Sequence, residues 1–98
     1  METLIASPVI IPKENVSGLI FPKEDVLLDP AEQKTRERDL HKAMILGNNE
    51  RYKVRIIFQD DDCIKEVDTT VWAATLKNVT LKNGTLIPIH RIHKVRFL

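Results

Sequence analysis

Ninety-eight residues, 43% hydrophobic and 30% charged with a formal net charge of +1, hold one small domain of ordinary soluble composition. They exclude a membrane-spanning helix, since the longest apolar run falls far short of the roughly 18 residues a span requires. The lone Cys63 excludes an internal disulfide and a cysteine metal cage. The start, Met1 to Pro8, lacks the basic and long apolar regions of a secretory signal, so a cytoplasmic location is expected.

Charge is unevenly spread: six Lys/Arg stand against eight Asp/Glu in residues 1–49, and nine against six in residues 50–98. Lys77, Lys82, Arg91, Lys94 and Arg96 end the chain with no acid among residues 76–98. An anionic partner would meet its basic excess there.

Residues 1–28 have no helical period, and Pro8, Pro12 and Pro22 bias their predecessors toward extended backbone. The segment reads as an extended or partly disordered arm, outside a helix-plus-strand domain of residues 29–98. Ile10, Ile11, Leu19, Ile20 and Phe21 are expected along the surface of that domain. Within the arm, Ile11-Pro12-Lys13-Glu14-Asn15-Val16 is echoed ten residues later by Phe21-Pro22-Lys23-Glu24-Asp25-Val26, a pair that could also serve as linear motifs for a partner.

Asp29-Pro30-Ala31-Glu32 is a helix start, with Asp29 as cap, Pro30 at the first helical position and Glu32 as the acid of a capping box. The helix is predicted to reach about Leu46 and to stop at Gly47. Its polar first turns should project into water, while Leu40, Ala43 and Met44 dock. From Arg51 to Gln59 the period changes to two: Tyr52, Val54, Ile56 and Phe58 face in, and Lys53, Arg55, Ile57 and Gln59 face out. Asp60-Asp61-Asp62 is a solvated turn without the spacing of a calcium loop.

From Cys63 to Leu76 the strand signal outlasts an ordinary strand, so the chain must bend or bulge. Trp72 is expected to pack under the helix or the arm, the alternative being an exposed stacking platform. Asn83-Gly84 predicts a two-residue type I′ turn, setting Leu81 opposite Leu86 and Thr80 opposite Ile87. Pro88 ends that ladder, Ile89-His90-Arg91-Ile92 fits one 3₁₀ turn, and His93 to Leu98 closes the fold with Val95 and Phe97 inward.

The sum is a mainly β domain with one N-terminal helix, a small SH3-like or Sm-like five-stranded barrel. Its last strand should pair with its first and bring Lys94 and Arg96 beside Lys53 and Arg55. The run Thr69-Thr70-Val71-Trp72-Ala73, with Leu81-Lys82-Asn83-Gly84 and Ile87-Pro88-Ile89-His90-Arg91-Ile92, resembles a family of short bacterial proteins of uncharacterised function. That resemblance covers about residues 38–98 and implies a fold without an activity. Residues 87–92 also look like the Ile-Pro-x-His-Arg-Ile signature of a small domain associated with RNA-end recognition and repair. The strand order is similar to that of Rof, a small inhibitor of the Rho termination factor, and to RNA-binding Sm proteins, although the Sm nucleotide-binding signature is absent. These resemblances imply RNA-linked work.

No catalytic residue is expected. Ser7 and Ser17 lie in the arm, Cys63 among acids is no setting for an activated thiolate, and Gly18, Gly47 and Gly84 are too scattered for a phosphate loop. His90 and His93 lack a third metal ligand at recognisable spacing, so neither a metal nor another cofactor is implied, and His90 should instead fix the 3₁₀ turn. The expected function is a non-catalytic binding module for RNA or other nucleic acid, using Lys53, Arg55, Arg91, Lys94 and Arg96 on the outer strand face. The plain alternative is that these cations keep the domain soluble and guard its edges. The other functional reading is a protein-interaction adaptor that works through the arm and helix.

Overall fold

The computed structural model describes residues 8–98, so the first seven residues of the arm lie outside the described part. In chain order come β1 (Val9–Ile10), a 3₁₀ turn at Lys13–Gly18, α1 (Pro30–Glu50), β2 (Val54–Gln59), β3 (Ile64–Thr69), β4 (Val71–Ala74), β5 (Asn78–Leu81), β6 (Leu86–Pro88), a 3₁₀ turn at Ile89–Arg91 and β7 (Ile92–Phe97). The strands form two sheets, ordered β1-β3-β2-β7 and β4-β5-β6. No ladder among the described residues joins them into a closed barrel, so the architecture is one main helix with two sheets. No helix of the described residues is long and apolar enough to cross a membrane.

Asp29 starts α1 as its sequence requires, with Oδ1 accepting from the Ala31 N–H at 3.0 Å and Pro30 opening the first turn. The far end differs from expectation. The helix runs through Gly47 to Glu50, and Arg51 supplies the left-handed cap at φ 54°. Gly47 is there for close approach. A Cβ on it would sit 2.3 Å from the Val71 carbonyl oxygen, so only glycine lets the helix lie this close to β4. The first half of the helix is also held rather than projecting. Buried Arg36 grips Asp25 through two bonds of 2.9 Å and donates to the Ile92 carbonyl at 3.1 Å, giving α1 a docked stripe of Arg36, Leu40, Ala43 and Gly47.

The inward row of β2 is realised, with Val54, Ile56 and Phe58 fully buried, whereas Ile57, expected to face out, is also buried; β2 lies between β3 and β7 with both pairings antiparallel. The long strand signal breaks at Thr70, whose neighbours belong to different sheets. The chain thereby carries one hydrophobic row, Val67 to Val71, from the first sheet to the second. Val79, Leu81, Ile87, Ile92 and Val95 complete that core.

The Asn83-Gly84 turn is tighter in sequence than it is in space. Only Gly84 takes positive φ, at 87°. Its N–H bonds the Leu81 carbonyl at 2.8 Å and the Leu81 N–H bonds the Thr85 carbonyl at 2.8 Å, a three-residue loop with a glycine bulge. The ladder therefore pairs Thr80 with Leu86 and Val79 with Ile87, one position away from the predicted register.

Residues 8–28 wrap the domain and contribute to its core. Val9 and Ile10 pair in parallel with Lys65 and Glu66, Val16 is buried in the main cluster, and the Phe21 ring packs at 6.1 Å from Phe58. The carboxylate turn is also more than a solvated tip. Asp60 is buried and accepts from Lys65 Nζ at 2.8 Å and from the Asp62 and Cys63 N–H groups at 3.0 Å.

These ion pairs and a half-buried histidine make stability depend on pH. His93 Nε2 donates to Gln59 Oε1 at 2.9 Å; burial, then the charges of Arg91 and Arg36, hold it below its ordinary 6.5. The Arg36 hydrogen bond holds Asp25 below its ordinary 3.8. For Asp60, burial pushes upward, but the Lys65 and backbone hydrogen bonds win and hold it below 3.8. In each case the unfolded chain takes up its proton first as pH falls, so the contribution is complete above the ordinary value and is lost below it. Melting temperature followed from pH 8 to 3 is expected to step down twice, first below about 6.5 for His93 and again below about 3.9 for the aspartates. His93→Gln should remove the first step and leave the second.

Candidate nucleic-acid interface

The predicted basic face is built by strand register. Arg55 pairs with Arg96, and Ile57 with Lys94, across β2 and β7; on the other side of β2, Arg55 faces Asp68 and Ile57 faces Glu66. Period-two alternation sends all of these side chains to the face opposite the buried Val54-Ile56-Phe58 row. The face thus runs from an acidic β3 row, through Arg55, to a basic β7 row.

Arg55 closes the acidic side. It binds Asp68 in a fork of 2.7 and 2.9 Å and reaches Glu66 at 3.7 Å. The Arg55 hydrogen bond holds Asp68 below the ordinary carboxylate range, and the same bond raises Arg55. Lys53, Lys94 and Arg96 are exposed, and among the described residues no acid lies within salt-bridge distance of them. These three cations are the part of the face open to an anion.

Arg91 does not join them. Instead of being exposed or paired with an acid, it is 6% exposed and spends its guanidinium on carbonyls. Nε donates to Gln59 at 3.0 Å, Nη1 to Glu24 at 2.7 Å and Nη2 to Asp60 at 3.3 Å. It rivets the arm to the end of β2. His90, on the same 3₁₀ turn, donates from Nε2 to the Pro22 carbonyl at 2.9 Å, fixing turn to arm. His90 and His93 therefore bond different partners, and among the described residues no three His, Cys, Asp or Glu side chains converge as metal ligands would.

Trp72 departs from the expectation that it is packed away, for it is 50% exposed. Position 72 points away from the core because Val71 on one side is buried against β5 and α1. Arg51 is hidden in sequence by the helix stop that Gly47 suggests. The extra turn to Glu50 makes it the left-handed cap of α1.

No protein-family model, curated protein or solved structure matches the chain significantly.

Proposed function

We propose that the protein is a non-catalytic cytoplasmic module that binds nucleic acid, RNA first, by seating phosphates along Lys53, Lys94 and Arg96. The carrying observation is the division of labour on the outer face. Arg55 pairs with both acids of β3, and the three remaining cations, Lys94 and Arg96 on β7 and Lys53 just before β2, are exposed with no acid within salt-bridge distance among the described residues. Pairing of β2 with β7 supports an SH3-like or Sm-like reading of the strand order. The likeness of residues 87–92 to an RNA-end-recognition signature agrees with the same class of ligand.

Three phosphate contacts to a single strand give a log–log salt slope of about −2. Fluorescence anisotropy with a labelled 12-nucleotide RNA, run between 50 and 200 mM salt, is expected to give that slope. The variant Lys53→Glu/Lys94→Glu/Arg96→Glu should lose about tenfold or more in affinity at low salt, along with most of the slope. Unchanged binding by this variant, with its melting curve intact, overturns the proposal.

A second reading is favoured by apolar exposure on the arm, where Ile10 is 68%, Ile20 67% and Leu28 87% exposed. These would suit a protein partner that adds a strand beside β1. Ile10→Ser/Ile20→Ser separates the two readings, since it should abolish capture of such a partner and leave RNA affinity unchanged.

A further inference from the structure

We infer that the cleft between the end of α1 and β4 is a base-stacking site for a single-stranded nucleic acid, with Trp72 as its platform and Arg51 and Lys82 as its phosphate contacts. The inference rests on the nucleic-acid reading above and adds the strandedness of the ligand and a second point of contact.

The cleft measures about 410 Å³ and is lined by Gly47, Asn48, Arg51, Thr70, Trp72 and Lys82, within the size range of small-ligand sites. Two of the six are cations, none is an acid, and the one large apolar surface is the half-exposed indole. An indole face beside a guanidinium and an ammonium is what a nucleotide requires, one flat partner for the base and positive charge for its phosphate.

Each wall is held in place by backbone contacts. Contact between Gly47 and the Val71 carbonyl fixes the helix end against β4. The Lys82 N–H bonds the Thr70 carbonyl at 2.9 Å, which pins the hairpin loop over the same strand. Arg51 keeps a left-handed backbone at φ 54°, a conformation that Asn or Gly adopts more cheaply. A costly residue at a fixed cap is accounted for when its side chain has a task.

The cleft and the basic row meet in the chain at residues 51–53. Arg51 and Lys53 are two residues apart, so their Cα atoms are at most about 7 Å from each other. One strand can therefore lay phosphates along Lys94, Arg96 and Lys53, pass Arg51, and set a base on Trp72. A duplex has no free base face to offer there.

Trp72 is the only tryptophan, so its emission reports this cleft alone. The full chain is titrated with unlabelled U12 RNA, dT12 DNA, a 12-base-pair RNA duplex and inorganic polyphosphate, and binding is followed in parallel by competition against a labelled U12 probe. Saturable quenching by U12 and dT12 is expected, the ratio of their affinities reporting any use of the 2′-hydroxyl. Polyphosphate should displace the probe without quenching. Trp72→Ala is expected to weaken U12 binding about tenfold, while Trp72→Phe retains most of it. Both variants should melt like the parent because the ring is half in solvent.

If U12 binds and the emission is unmoved, with Trp72→Ala binding at parental affinity, the cleft inference fails and the phosphate-row proposal stands. Duplex binding as tight as U12, without quenching, has the same consequence. If none of the nucleic acids binds, both fall.

Discussion

Gly47→Ala is expected to destabilise the protein by about 2 kcal/mol or more, the opposite sign from what helix propensity alone predicts. In an exposed helix interior, alanine in place of glycine gains about 1 kcal/mol. Here the new methyl would meet the Val71 carbonyl oxygen at 2.3 Å and Thr70 Cγ2 at 3.0 Å. The nearer obstacle is backbone, which cannot rotate away, so α1 and β4 must separate. Overpacking of this kind costs about 1–3 kcal/mol and sometimes more. A domain of this size should lose on the order of 10 °C in melting temperature, with an unchanged denaturant m value. Gly18→Ala is the control, because nothing lies within 4 Å of its added Cβ, and its effect should stay within about 0.5 kcal/mol. A stabilised Gly47→Ala protein would show that the helix does not pack on β4 as described.

That glycine also shows where sequence reading reaches its limit. Asp29-Pro30 could be recognised because capping is chemistry within one helical turn. The inward row Val54, Ile56, Phe58 and the outward row Lys53, Arg55 could be recognised because the pleat imposes a period of two. The pairing of β7 with β2, and with it Lys94 and Arg96 beside Arg55, followed once strand order was granted. Gly47 is different: as a helix stop and as a contact point it has the same letter and similar neighbours, and only Val71 on another strand distinguishes them. Asn83-Gly84 permits two turn geometries that differ by one loop residue, and a single positive φ at Gly84 selects the longer one. In the acidic triplet, burial of Asp60 depends on Lys65 curling back to it, a contact invisible to a reading of like charges in a row. Trp72 lies in a strand pattern that fits either face until Val71 is known to be the buried member.

Arg91→Met is expected to lower stability by about 3 kcal/mol while leaving nucleic-acid affinity within twofold. In sequence Arg91 groups with the surface cations; in the fold its guanidinium serves three backbone carbonyls from two chain segments, Glu24 on the arm and Gln59 and Asp60 at the end of β2. Hydrogen bonds from a charged donor contribute about 1.5–3 kcal/mol each, and a buried acceptor left without a donor costs about 1–3 kcal/mol. Relaxation and water entry recover part of the sum, hence the lower total. Arg91→Lys should fall between the parent and Arg91→Met, because one ammonium cannot span the three carbonyls that the planar fork reaches. Lys94→Ala should do the reverse, with stability within about 0.5 kcal/mol and RNA affinity reduced together with about 0.7 unit of the salt slope. Urea midpoints and anisotropy titrations on the same three variants measure both effects. Should Arg91→Met hold its urea midpoint and lose RNA, Arg91 belongs to the binding face after all, and the rivet between arm and core is not what holds residues 8–28 in place.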